Sequence, residues 1–483
     1  MSKHHLLLFE LKWWICAYFA VATCISTPSR AVTADAAVPT ATISTVVKNE
    51  GYSKLVAWVR DNGGRVDDRL GLVNAVTVVG GSQPQLQPQQ PRGCVALDDI
   101  CAGSELLYCP WKLVLGTQGD TSKVSEDHCQ VLRTYADQVR LGNESFWYPY
   151  LSMDASLETR IPTVWSDLAL EELQGLPPYD SSSSSSSSLT DWFSKTCAGG
   201  TPFDQLDDAS RHSLLAAITR SAGMRFLPIF DLLNHHNGKL NTRSNAISTG
   251  NQLFALVDIA KGSDIYLSYR GQRSTSCDIF SRYGFVESWP QQWAWVDDKS
   301  TAGTTTTTTT TPSTTTSSGR EHPPQSVVVV DQQQHQRILV LPNGSVAINP
   351  PDSMTMWIGS ATVMPPTLEE LQEQADRHNT MQLTTTQVVR FRDSAIALLE
   401  ETLPTSVEED HVILDVLEQE LISLEGGGGG GIGASASVGV AETILMDRIC
   451  AVRYRIDFKK AIHMAVHVAN DVLAGKKDAD QEF

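Results

Sequence analysis

The stretch Arg225-Phe226-Leu227-Pro228-Ile229-Phe230-Asp231-Leu232-Leu233-Asn234-His235 decides how this chain is read. Apolar side chains fill most of it, so it belongs inside a core. It then leaves that core through Asn234 and His235, whose donors and acceptors suit either a cap on the next loop or contacts to a ligand. Outward from this stretch, Leu253 to Asp258 and Ile265 to Tyr269 read as strands flanking the turn Lys261-Gly262. Gly93 to Ala96 and Leu106 to Tyr108 form a similar pair around Ala102-Gly103. A pattern of strand, Asp-Ile-x-x-Gly turn, strand therefore occurs twice, at Asp99 to Gly103 and at Asp258 to Gly262.

The 483 residues are 41% apolar and 19% charged, the balance of a globular protein rather than a disordered one. Asp and Glu outnumber Lys and Arg by 55 to 37, for a net charge of −18. That excludes a chain whose main task is gripping phosphate backbones, and no nucleic-acid partner is expected. It leaves an acidic surface that suits a basic partner. The nine cysteines contain no Cys-x-x-Cys pair, which argues against structural zinc, and neither a metal site nor a dense disulfide framework is expected.

Residues 1–38 read as a targeting segment. Lysines and histidines precede the apolar stretch Trp13 to Ile25, which is shorter than the ~20 residues that span a bilayer. It ends near the small-x-small pattern Ala20-Val21-Ala22, as a cleaved signal peptide or the front of a transit signal does. Entry to the secretory pathway or a plastid is expected, with no stable membrane insertion once it is removed. The alternatives are a membrane anchor and an amphiphilic helix packed on the body. Asn143-Glu144-Ser145 and Asn343-Gly344-Ser345 are glycosylation triplets. Unbroken runs at Ser181 to Ser188, Thr304 to Thr311 and Gly426 to Gly431 cannot bury apolar surface, and mark places where the fold tolerates insertion.

Helical spacing appears at both ends of the body. Leu55, Val56, Trp58 and Val59 crowd one side of a helix over Tyr52 to Asn62, stopped by Gly63-Gly64. Near the C-terminus, Thr367 and Glu370 have the spacing of a capping box. Leu445, Ile449, Val452 and Ile456 recur at helical spacing, and Phe458, Ile462, Ala465, Ala469 and Val472 continue it in a shifted phase, as a helical bundle requires. His463 and His467 lack the glutamate of a zinc-hydrolase helix, and no P-loop is present.

Three blocks together carry a resemblance. They are Pro91-Arg92-Gly93-Cys94-Val95-Ala96, then Arg225 to His235, then Ile265-Tyr266-Leu267-Ser268-Tyr269 leading to Arg282-Tyr283-Gly284-Phe285-Val286. In order and spacing they resemble the blocks of SET-domain protein methyltransferases, and more narrowly the Rubisco large-subunit lysine methyltransferase branch. Phe146 to Leu151, Ile161 to Ser166 and Glu171 to Gly175 are similar to the helical insert of that branch, and Val452 to Lys459 is similar to its closing helix. The resemblance spans residues 50–290 well and 365–475 loosely. It implies an α+β protein with a mostly β SET core split by a helical insert, followed by an α-helical substrate-binding domain. The boundaries are 39–120 and 223–290 for the two parts of the SET domain and 121–222 for the insert. A Thr-rich linker with peripheral strands fills 291–364, and the helical domain 365–483.

The resemblance implies S-adenosyl-L-methionine as cofactor and a protein with a target lysine as partner, a non-histone one because Cys-rich flanking modules are absent. It places Arg92, Gly93, Arg220, Ser221, Asn234, His235 and Tyr283 around the cofactor. Tyr283 is the expected catalytic tyrosine, with Tyr269 lining the lysine channel and Asp231 attracting the incoming ammonium. The chemistry is consistent with these residues. Methyl transfer to an amine is an in-line displacement governed by positioning, and Gly93 lets backbone approach a ligand closely. Lysine must lose a proton from a group of pKa ~10.4, which desolvation favours without a dedicated base.

Pro91 stands where the branch carries glycine, Ser274-Thr275-Ser276 replaces a Ser-Asn pair, and Gly238 to Ser244 lacks an aromatic that some members use. Two other functions remain open: a histidine-directed methyltransferase, and a degenerate SET protein that only binds a partner. A monomer is expected.

Overall fold

A computed structural model describes residues 50–73, 93–116, 128–153, 161–176, 185–269, 275–287, 290–296, 335–351, 367–403, 405–426 and 435–481, a mixture of helix and sheet. The targeting segment, Pro91, Arg92, Arg270 to Ser274 and the threonine run lie outside the described residues.

The described chain opens with helix α1 (Glu50–Asp61), which buries Tyr52, Leu55 and Val59 one turn apart. Gly63, at φ +79°, then turns the chain in the left-handed region that favours glycine. Strands β1 (Arg65–Val66), β2 (Leu70–Val73), β3 (Gly93–Ala96), β4 (Glu105–Pro110) and β5 (Leu115–Gly116) follow. Helices α2 (His128–Leu141), α3 (Tyr148–Leu151), α4 (Asp167–Glu171), α5 (Ser185–Trp192) and α6 (Asp208–Thr219) then separate β5 from β6 (Arg225–Phe226). After β7 (Thr242–Ile247) and β8 (Gly250–Ala255) comes α7 (Ser276–Tyr283). The sheets are antiparallel: β1-β4-β8-β7, β2-β3 and β5-β6. The disulfide Cys129–Cys197 fastens α2 to the turn Phe193–Cys197 beside buried Leu132, Leu214 and Ile218.

The two Asp-Ile-x-x-Gly turns meet back to back. Ile100 and Ile259 exchange backbone hydrogen bonds at 2.9 and 2.8 Å. Asp99 accepts the Lys261 amide at 2.8 Å and Asp258 accepts the Ala102 amide at 2.7 Å. Gly103 donates to Ala255, and Gly262 donates in the same way to Ala96. The repeat read from sequence is thus a pseudo-two-fold joint that ties β3 and β4 to β8.

Ile265 to Tyr269 is not a ladder strand, contrary to the sequence reading. It is extended backbone with isolated bridges at Asp264 and Tyr266. Its polar groups are satisfied from several directions. Ile265 donates to the Cys94 carbonyl and Leu267 to that of Asn234, each at 2.8 Å. The Asn241 side chain accepts the Tyr266 amide, and the Thr242 hydroxyl donates to the Tyr266 carbonyl.

Strands β9 (Gln291–Val296), β10 (His335–Val340) and β11 (Val346–Ile348) form an antiparallel sheet ordered β11-β10-β9. Helices α8 (Leu368–Arg377), α9 (Thr385–Ala397), α10 (Val407–Gly426) and α11 (Ser435–Gln481) follow. The Thr367–Glu370 capping box forms at α8 as its spacing predicts. The strands expected at the periphery are core instead. Trp293 is fully buried, with its ring 5.5 Å from that of Tyr454 and 5.4 Å from that of Phe458 on α11. Trp165, Ala169 and Leu173, around α4 in the region assigned to the insert, join this same cluster.

The shifted phase of α11 has its cause here. Leu445, Ile449, Val452 and Ile456 pack on Leu417 and Leu421 of α10, whereas Phe458, Ile462, Ala465 and Ala469 face the cluster around Trp293. Between these faces lies a buried ionic group. Asp410 accepts from Arg455 and Lys459, and Glu172 accepts from Arg455 and Arg448. Charges this buried need every partner present, so the group specifies how α4, α10 and α11 meet.

Candidate active site

The site is built where the loop after β6 crosses the segment Ile265 to Tyr269. Ile229 is buried at φ +71°, a left-handed conformation that a β-branched side chain resists. Such strain is tolerated where surrounding packing over-determines it, and here it sets the 3₁₀ turn Phe230–Leu232 that aims Asp231, Asn234 and His235. The Tyr150 hydroxyl donates to Asp231 Oδ2 at 2.8 Å. Arg220, at the C-cap of α6, donates from Nη1 to the Asp231 carbonyl at 2.8 Å.

Asn234 lies against β3. A Cβ added at Gly93 would collide with the Asn234 side-chain amide, so a larger residue there would push that amide from its present place. Among the described residues that amide makes no hydrogen bond, and Asn234 is half-buried. The pair Gly93 and Asn234 therefore presents a close backbone surface beside an available donor and acceptor, which fits an adenosyl group.

The aromatic wall comes from two elements. The Tyr269 hydroxyl donates to the Leu233 carbonyl at 3.0 Å, and its ring centroid is 4.6 Å from that of Tyr283. Burial holds the Tyr269 phenol well above its usual range, against the opposing pull of the Arg220 guanidinium, so it stays neutral. Tyr283 closes α7 immediately before Gly284, a left-handed C-cap at φ +74°. Phe280, one turn earlier, stacks on Tyr454 of α11 at 3.9 Å, so the helix carrying Tyr283 is held from the C-terminal half of the chain. Thr275 caps α7 with Asp278, a positive role for the residue where the branch motif is altered.

The sequence reading offered His235 as a polar group for a cofactor, but its ring is already engaged. Nε2 lies 2.5 Å from Glu287 Oε1, and Nδ1 accepts the Tyr269 backbone amide at 3.3 Å. The ring stacks on Tyr269 with centroids 5.2 Å apart. Ser221 likewise spends its hydroxyl on the Ala217 carbonyl, at 2.6 Å. The structure thus brings Gly93, Arg220, Asp231, Asn234, His235, Tyr269 and Tyr283 together, while Arg92 lies outside the described residues.

Sequence reasoning missed Tyr150 and Glu287. Glu287 directly follows the Tyr283-Gly-Phe-Val block, and an acid amid apolar residues was the available signal. His236, which follows His235, packs on Tyr266 with centroids 5.1 Å apart, and burial lowers its pKa to about 4. Among the described residues no cluster of three His, Cys, Asp or Glu could hold a metal, and no helix is long and apolar enough to cross a membrane.

The fold is similar to solved structures of Rubisco LSMT. One, bound to AdoMet, has a TM-score of 0.48 at 14% identity, covering 88% of this chain and 93% of that one. The SET domain of LSMT bound to MeLysine and AdoHcy gives 0.47 at 15%, covering 89% and 93%. Rubisco LSMT bound to sinefungin and monomethyllysine gives 0.44 at 15%, covering 86% and 93%. No family profile and no curated protein matches the chain.

Proposed function

We propose that this chain is an S-adenosyl-L-methionine-dependent protein-lysine N-methyltransferase acting on a non-histone protein. The observation that carries the reading is the convergence of Gly93, Asn234, Tyr269 and Tyr283, from three separated sequence blocks, on one partly buried site. In this reading the SET core is split by the helical insert, and the C-terminal helices dock the substrate.

When bound, the cofactor supplies the electrophilic methyl group. Gly93 and Asn234 hold its adenosyl part, with Arg220 shaping the loop through Asp231. Tyr269 and Tyr283 form the wall along which the lysine side chain enters, and exclude water from it. Desolvation there favours the neutral amine, which keeps its lone pair for attack. Asp231 draws in the ammonium before it enters. Neutral Tyr269 does not act as a base, and the proton leaves the amine for solvent. Cys129–Cys197 supports maturation in an oxidising compartment, in keeping with a targeting segment at residues 1–38.

Calorimetric titration of the protein with S-adenosylhomocysteine tests the reading. Micromolar binding that disappears in Asn234→Ala is expected. Tyr283→Phe should abolish methylation of lysine-bearing proteins while leaving cofactor affinity within a few fold. Failure of the folded protein to bind S-adenosylhomocysteine would favour the partner-binding alternative.

A further inference from the structure

We propose that Glu287 is a positioning residue of this site: it fixes the proton of His235 on Nε2 and thereby holds Tyr269 beside Tyr283. The consequence for catalysis rests on the methyltransferase reading above; the bond itself rests on geometry alone.

Both partners are buried, with side chains 3% exposed for His235 and 1% for Glu287. A carboxylate so placed needs donors on each oxygen. Glu287 has His235 on Oε1 and the Ser276 hydroxyl on Oε2, at 3.1 Å, while Gln291 Nε2 donates to its carbonyl at 2.8 Å. The tautomer follows from counting protons. The Tyr269 amide can only donate, so Nδ1 must be the acceptor, and the ring proton sits on Nε2, aimed at Glu287. In the opposite tautomer, Nδ1–H would face the Tyr269 N–H and Glu287 Oε1 would lose its donor.

The pair reaches both tyrosines. His235 holds Tyr269 by its backbone amide and by ring stacking. Ser276 is the first residue of α7, and Tyr283 is the last. One carboxylate therefore ties the support of Tyr269 to the start of the helix that presents Tyr283. Buried carboxylates that orient a histidine in this way act on the tautomer rather than on substrate.

The test uses the full-length protein labelled with ¹⁵N-histidine, with His235→Gln assigning the His235 signal. The expected spectrum shows the Nε2–H tautomer. In Glu287→Ala only the Tyr269 amide still opposes the other tautomer, so the preference should weaken measurably and S-adenosylhomocysteine affinity should fall about tenfold or more. Glu287→Gln keeps the accepting oxygen, so it should keep the tautomer and hold affinity within about threefold. If Glu287→Ala does not fold, Glu287→Asp, whose shorter arm draws the carboxylate away from the ring, carries the same expectation as alanine. An Nδ1–H tautomer in the parent protein, an unchanged spectrum in Glu287→Ala, or alanine-variant affinity within twofold of the parent would each overturn the proposal. If the parent binds no S-adenosylhomocysteine, the methyltransferase reading fails while the spectra still decide the His235–Glu287 bond.

Discussion

The two Asp-Ile-x-x-Gly turns share a sequence pattern, a left-handed glycine at φ +81° and a reciprocal set of hydrogen bonds, yet the strands after them have different fates. After the first turn, Glu105–Pro110 is paired on both sides, by β1 and β8. After the second, Ile265 to Tyr269 makes only single bridges and borrows side chains of Asn241 and Thr242 for its backbone. The difference teaches how a repeated unit acquires a site. The first copy spends its ladder on the sheet, while the second gives it up so that Tyr269 can meet Leu233, His235 and Tyr283.

The sharpest way to break this comparison is to hollow each copy at the same place. Leu106 and Ile265 both directly follow the turn-closing Gly-Ser-acid triplet, and both are fully buried. Leu106→Ala and Ile265→Ala should each cost ~2–5 kcal/mol of stability in denaturant unfolding. Only Ile265→Ala should also weaken S-adenosylhomocysteine binding, because the cavity left by its buried side chain loosens the segment that carries Tyr269. Equal loss of binding in both variants would mean that the first copy serves the site too.

A smaller effect sharpens the symmetry. An added Cβ at Gly103 or Gly262 meets nothing within 4 Å, so alanine there should cost only the left-handed backbone, about 1 kcal/mol in each copy. Unequal costs would show that one turn carries strain the other lacks.

A last effect, read in pH rather than in a core side chain, belongs to the second copy alone. His236, packed on Tyr266, has its pKa lowered to about 4 from an ordinary 6.5, first by burial and then by Lys239 and His235. Below pH 6.5 the unfolded chain takes up a proton that the folded one refuses, so stability should decline as pH falls from 6.5 towards 4 and then level off in this respect. His236→Gln should flatten that part of the profile. An unchanged profile would assign the acid sensitivity to other groups.

Much of the architecture was legible in the chain. The helix α1, the twin turns, the α8 capping box and the two apolar phases of α11 all arise from local rules of periodicity, capping and glycine geometry, which act within a few residues. The site blocks stood out only in combination, through their resemblance to the SET-domain branch, because an Asn-His turn or a tyrosine at a strand end is by itself more often a cap or a packing residue.

What only the tertiary structure decided is how distant groups use one another. The Asn234 amide packs over the bare Cα of Gly93, and Ile229 holds a conformation that a β-branched residue resists, fixed by the core around it. Trp293 and Trp165 enter one core with α11 although long stretches of chain separate them. His235 turns away from a free polar role because a buried carboxylate from beyond Tyr283 must have a donor. Hydrophobic pattern and propensity are local and can be read along the chain. The pairing of buried polar groups is a demand of the folded interior, where water is absent and each donor and acceptor must find its partner in space.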